Sequence, residues 1–289
     1  MTPSSLSLRA LLLAALSLPA AAPAQDPKAP ASTPAKVEKL ADWPKPDEAA
    51  TKTLTAVVGQ FAKPEATLHE PAHKKLVGAG DPAAPIVMNA VNDRTPEINV
   101  KLFAVLDELL QPRHGALLAR EVKKPKVELR RYLTLRMLKF HDAELLPTLT
   151  ELRKDKDPLT AFYASLAALA LQQKDAVAPV AEYSKTHWSE VGALVAEVLP
   201  AARSAEAGTW VLEAIAKANA ADQMAGLRLL RYLMVKEQAS TLKTYLNSPD
   251  HTVKREAINA ARVLHGEPPI ENLPVFQVVK HQQEWLQKL

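Results

Sequence analysis

A near-repeat of about 31 residues constrains this chain more than any other feature. Its clearest copy is Asp157–His187, DPLTAFYASLAALALQQKDAVAPVAEYSKTH. Asp157 is placed to cap a helix by accepting a free backbone N–H of the first turn. Pro158 follows at the first helical position, where its missing N–H costs nothing. Phe162, Leu166 and Leu169 share one face with Gln173, the spacing of an amphipathic helix. Ala164, Ala167, Ala168 and Ala170 let a neighbouring helix approach closely. A second helix starts at Asp175 and carries Val177, Val180 and Tyr183. The short link forces the two helices to fold back antiparallel. One such pair cannot bury both its faces, so it needs neighbours.

The neighbours are present. Asp250–Gly266 repeats the first half, with Asp157 on Asp250, Thr160 on Val253, Ala164 on Ala257 and Ala168 on Ala261. That offset is three steps of about 31. Gly226 lies one step before Ala257, with Leu227 and Leu233 matching Ile258 and Leu264. In the second half, Asp175–Pro179 matches Asp81–Pro85 and, with one extra residue, Asp142–Pro147. A proline so near a helix start removes at most one helical bond.

These residues carry a family resemblance. The rhythm Ala72, Leu76, Gly78, Gly80, Asp81, Pro85, and again Ala164, Ala168, Leu169, Asp175, Pro179, resembles the short HEAT-repeat type, as in bilin-lyase-type HEAT proteins. It covers roughly residues 66–266. The resemblance implies an all-α, right-handed α-solenoid of helical hairpins. It also implies a protein-binding scaffold rather than an enzyme, although some relatives act on bilin chromophores. The stretch Thr186–Ala218 departs from the pattern, because Pro200 and Ser204–Ala205 replace the tight Asp turn.

Read in order, residues 1–24 look like a secretory signal peptide. Arg9 supplies the positive start, Ala10–Leu18 the apolar run, and Ala22-Pro-Ala24 the cleavage site. The apolar run is short for a membrane span, so no span is expected after cleavage. The chain has no cysteine, which excludes thiol chemistry and a cysteine-linked lipid anchor. Residues 25–46, rich in Pro, Ala and Lys, read as an extended linker. Trp43 is either its docking point on the first helix or an exposed ring. Residues 47–289 form the solenoid. Aromatics at 5% and 8 glycines leave a composition that suits helices over sheets. Helices are expected over 47–61, 71–79, 82–91, 95–110, 113–121 and 126–140. Pairs follow at 142–154 with 158–172, 175–186 with 188–202, 205–218 with 221–234, and 236–247 with 250–265. Thr95-Pro96-Glu97 signals a capped helix start. The first helix, and a last one over 275–289, cap the two ends. The last is expected to turn Val275, Val278, Val279, Trp285 and Leu286 to one side, unless Trp285 marks a partner site.

Candidate chemistry is sparse. His69-Glu70-Pro71-Ala72-His73 matches the zinc-hydrolase spacing, two histidines on one helical face with a glutamate as general base. Proline fits best at the first helical position, which leaves His69 outside the helix. No third ligand is identifiable, so no metal or other cofactor is expected. Arg120, Lys123, Lys124, Lys126, Arg130, Arg131, Arg136 and Lys139 form a basic run, either a solvated face or a patch for an anionic polymer. It lacks the interleaved aromatics that stack bases, so nucleic acid is not expected. His141-Asp142 and His187-Trp188-Ser189-Glu190 fall at expected turns and read as caps and turn hydrogen-bonders. The expectation is a non-enzymatic, exported scaffold, periplasmic or extracellular. It would bind a protein or peptide on its concave face, through Arg130, Arg131, Arg228, Arg231 and Lys254 with Lys123, Lys124 and Lys126. The alternatives are an electrostatic binder of an anionic envelope polymer and a zinc-dependent hydrolase using residues 69–73.

Overall fold

The structure is a computed structural model that describes residues 38–289. The expected signal peptide and the linker residues 25–37 lie outside the described residues. Every regular element described is helical. The α-helices are α1 (Glu48–Val58), α2 (His69–Ala79), α3 (Ala83–Ala90), α4 (Pro96–Leu109), α5 (Gly115–Glu121), α6 (Val127–Phe140) and α7 (Leu146–Leu152). They continue as α8 (Pro158–Ala170), α9 (Val177–Val198), α10 (Ala205–Ile215), α11 (Ala220–Leu233), α12 (Leu242–Leu246), α13 (His251–Leu264) and α14 (Val275–Lys288). No described helix is long and apolar enough to cross a membrane. The chain divides into two compact units at Arg136 and Met137, inside α6.

In the first unit the caps are local and legible. The Asp47 carboxylate accepts from Ala50 N and opens α1, which buries Leu54, Val57 and Val58. Phe61, in the 3-10 turn that follows, is buried with them. Ala72 and Leu76 of α2 are fully packed, as are Ala84, Val87 and Met88 of α3. At α4 the chemistry differs from expectation. Thr95 makes no side-chain cap. Instead buried Asn99 clamps the preceding turn, accepting from Asn92 N at 3.0 Å and donating to Asn92 O at 2.7 Å. Residues 38–46 lie against this unit. Leu40 N donates to Arg113 O, Arg120 donates to Asp42 and to Ala41 O, and the Trp43 ring stacks on His114 at 5.2 Å. Trp43 thus docks on the turn before α5, not on the first helix.

In the second unit the repeat register holds at the cores. Ala164 and Ala257, Ala168 and Ala261, Thr160 and Val253 are all buried. Asp157 accepts from Thr160 N, and Asp250 from Thr252 N and Val253 N. Second helices start as 3-10 turns, at Ala143–Leu145, Lys174–Ala176 and Lys236–Thr241. The departure falls where the rhythm breaks. α9 runs through residues expected to hold a turn, and its one non-helical residue is His187, at φ −113° and ψ 17°. Gly226 lets α11 close on α10, since a Cβ there would lie 2.2 Å from Ile215 Cγ2. In α14 only Val278 and Trp285 are buried. Val275, Phe276 and Val279 face solvent, so the expected five-residue apolar side reduces to two buried positions, Val278 and Trp285, two helical turns apart. Trp285 packs against His265 and is enclosed, which removes it as a partner site.

Candidate functional site

The site is built where α9 bends. A break in a helix frees carbonyls in the turn before it, and Arg228 Nη1 donates to Ser184 O at 3.1 Å. Just past the break, Trp188 lies over its own helix, which only a glycine one turn on permits. A Cβ on Gly192 would stand 2.9 Å from the indole. The guanidinium groups of Arg228 and Arg231 sit 5.1 and 5.3 Å from the Trp188 ring centre, within cation–π range. From α13, Glu256 enters between the arginines. It pairs with Arg231 Nη2 in a short contact and faces Arg228 Nε at 3.5 Å and Arg255 Nη2 at 3.6 Å. Glu271, in the loop before α14, takes the other side of Arg231 at 2.6 Å.

This network is almost dry. Arg231 is 0% exposed and Glu256 1%. Burial works against the Arg231 charge, but Glu256 and Glu271 outweigh it and raise its pKa. At Arg228 burial prevails and lowers it, consistent with its looser 3.5 Å approach to Glu256. Burial likewise raises the neighbouring Tyr232 phenol. A cavity of about 570 Å³ opens beside the network, walled by Trp188, Gly192, Ala193, Ala196, Arg228 and Tyr232, with Arg255, Glu256 and Glu271 on the far side. Lys185 stands on its rim, paired with Asp222 and Glu182. The chemistry on offer is binding: dense hydrogen-bond donors, one aromatic face and an apolar wall.

The structure brings together only part of the expected set. Arg228 and Arg231 belong to the network, but they are buried rather than displayed on a face. Half-buried Lys254 precedes Arg255 without lining the cavity. The basic run lies elsewhere and is engaged by its own unit. Lys124 meets Glu121 and Asn89, Lys126 donates to Asn89 O, Arg130 to Lys124 O, Arg131 to Glu128, and Arg136 to Asp107 and Leu110 O. Lys123 is exposed at the α5–α6 turn. The zinc motif is arranged differently from expectation. α2 begins at His69, with Pro71 inside its first turn, where it still removes no helical bond. His69 Nε2 meets Lys63 O at 3.0 Å, while His73 Nε2 meets Glu108 at 2.6 Å. Among the described residues no group of three or more potential ligands is placed to hold a metal.

Trp188, Gly192, Arg255, Glu256 and Glu271 were not among the expected site residues. A signal existed in the register. One step of about 31 back from Asn259 is Arg228, and three steps back is Leu166. Arg231 likewise takes the place of Leu169. Two arginines at apolar core positions call for a buried carboxylate.

Fold and site together define an all-helical, repeat-like protein with a polar cavity. No protein-family model matches the chain, and no curated protein matches it. Among solved structures, a match is human deoxyhypusine hydroxylase in complex with glycerol, 14% identical, with a TM-score of 0.33, covering 83% of this chain and 98% of that one. One expectation is corrected by it. The non-enzymatic role rested on the helical-repeat fold; this neighbour is an enzyme, and a fold does not by itself decide for or against catalysis.

Proposed function

We propose that the chain is an exported binding scaffold, periplasmic or extracellular, built as a right-handed solenoid of HEAT-like pairs, and that it holds a protein or peptide partner through its second-unit cavity. One observation carries this reading: a cavity of about 570 Å³ that joins an indole face, an apolar wall and an arginine cluster. That volume is within the range of specific ligand pockets, about 300–1,000 Å³. Export is supported by the pattern at residues 1–24. The test is a photo-cross-linking residue placed at Ser189, exposed on the cavity rim, with Lys217 as an exposed control. A discrete protein adduct from position 189 and none from 217, retained at high salt, is the expected result. Adducts that vanish with salt, or that form equally at both positions, overturn it.

A further inference from the structure

We infer that the second-unit cavity captures a peptide carboxylate, an inference that rests on reading the chain as a protein- or peptide-binding scaffold. The first argument is donor capacity. Each guanidinium carries five N–H donors, and three guanidinium groups meet here. The acceptors they meet in the chain include Glu256, Glu271, Ser184 O and, for Arg231, the Tyr232 side chain. The Nε groups of Arg228, Arg231 and Arg255 are all buried without a hydrogen-bond partner. Native structures seldom leave such groups unused. Arg228 and Arg255 reach Glu256 only at 3.5 and 3.6 Å, outside good hydrogen-bond geometry. The cluster therefore holds more donors than its own chain can satisfy, and Arg255 stands partly open at 30% side-chain exposure.

The second argument is charge. Within the buried cluster three arginines face two carboxylates, a surplus of one positive charge; at the rim Lys185 is paired with two further carboxylates, Asp222 and Glu182, neither of which lines the cavity. A surplus of one suits a monoanion. A phosphate, nearer two negative charges at neutral pH, would meet repulsion from Glu256 and Glu271. The third argument is shape. A carboxylate matches the guanidinium fork in a bidentate pair. The adjoining Trp188 ring with Gly192, Ala193 and Ala196 offers the apolar contact that a peptide brings and a free ion does not. A carboxylate entering past Arg255 would engage its outer N–H groups and those of Arg228, with Trp188 holding both Arg228 and Arg231 in place.

The probe is N-acetyl-tetraalanine as the free acid. Three comparisons accompany it: its C-terminal amide, acetyl-Ala-Glu-Ala-Ala-amide, and inorganic phosphate. Each is titrated into the full chain while the arginine Nε–H resonances are followed by NMR. The expected result is saturable movement of the Arg228 and Arg255 resonances with a carboxylate probe, and at least tenfold weaker binding of the all-alanine amide. Preference for the free acid identifies a chain terminus, and preference for the glutamate peptide identifies a side chain. Arg255→Gln, at the cavity mouth, is expected to weaken the preferred probe at least tenfold while circular dichroism stays unchanged. Equal response to acid and all-alanine amide, response to phosphate alone, or no response at all overturns the inference. If the Ser189 adduct survives in Arg255→Gln while no carboxylate binds, the scaffold reading stands and carboxylate capture falls. If the free acid binds but no adduct forms, the reverse holds.

Discussion

At the scale of single residues, the second unit is governed by where size and charge are forbidden. Gly226 is the smallest residue of the repeat at a helix crossing, and any Cβ there meets Ile215. Overpacking of this kind costs about 1–3 kcal/mol, so Gly226→Ala is expected to lower the unfolding free energy by that amount, read as a lower urea midpoint with an unchanged slope. Glu256 matters for a different reason. Its carboxylate meets all three of Arg228, Arg231 and Arg255, whereas Glu271 pairs with Arg231. Removing one partner of a buried ion pair costs about 3–5 kcal/mol, because the other charge stays uncompensated. Glu256→Gln should fall near the lower figure, since Glu271 still serves Arg231. A denaturation curve indistinguishable from the parent would sink that account. The small-residue rule was legible in the sequence from Ala164, Ala168 and Gly226. The buried ion cluster was not, because arginines on a helix are read as solvent-facing unless their repeat position is weighed against the apolar residues that share it.

At the scale of elements, the helix starts were the most legible feature. Asp47, Asp157 and Asp250 cap as their sequence positions dictate. Asp157→Ala removes an acceptor used by both Thr160 N and Thr160 Oγ1. It should cost about 0.5–2 kcal/mol, measurable by chemical denaturation, toward the upper end because the site is buried. Two element-level expectations failed for physical reasons. At α4 the threonine signal was outcompeted by Asn99, whose amide satisfies both the N–H and the C=O of Asn92, in a turn also held by Thr95 N on Asn92 O and Arg94 N on Asn92 Oδ1. At α9 the expected turn around His187 contains neither glycine nor proline. The backbone bends at one residue and resumes as helix. The bend is secured by a ring stack running from Phe162 to Tyr183 at 4.6 Å and on to His187 at 4.2 Å. Such a stack is invisible to a window that scores local periodicity, because Phe162 is more than twenty residues away.

At the scale of the whole molecule, the two units carry different liabilities. The first contains His114, fully buried, with its Nδ1 accepting from Gln111 N at 3.0 Å. That bond requires the neutral ring. Burial holds the His114 pKa below its ordinary 6.5, against the opposing pull of Asp81. The unfolded chain therefore binds the proton first. Stability is full above pH 6.5, falls as pH drops below it, and levels off once the folded ring is also protonated. A stability–pH profile of the parent should show this acid-side loss. His114→Gln should flatten that part of the profile while lowering stability at neutral pH. An identical acid limb in both proteins would remove His114 as its source. The helical-repeat character of the whole was readable from the sequence because the same caps and small residues recur. The roles of the individual repeats were not, because the repeat pattern is the same whether a position faces a neighbour or a cavity.

The docking of Trp43 on His114 has an optical and magnetic consequence. Of the chain's four tryptophans, Trp188, Trp210 and Trp285 fall in the second unit, and Trp43 alone in the first. A chain labelled with fluorotryptophan therefore reports on the first unit through a single fluorine resonance. The histidine ring 5.2 Å away imposes a ring-current shift on it. Lifting residues 38–46 off the turn before α5 will move that one line toward its free position while the other three stay where they are. Release of the segment can thereby be separated from unfolding of either unit.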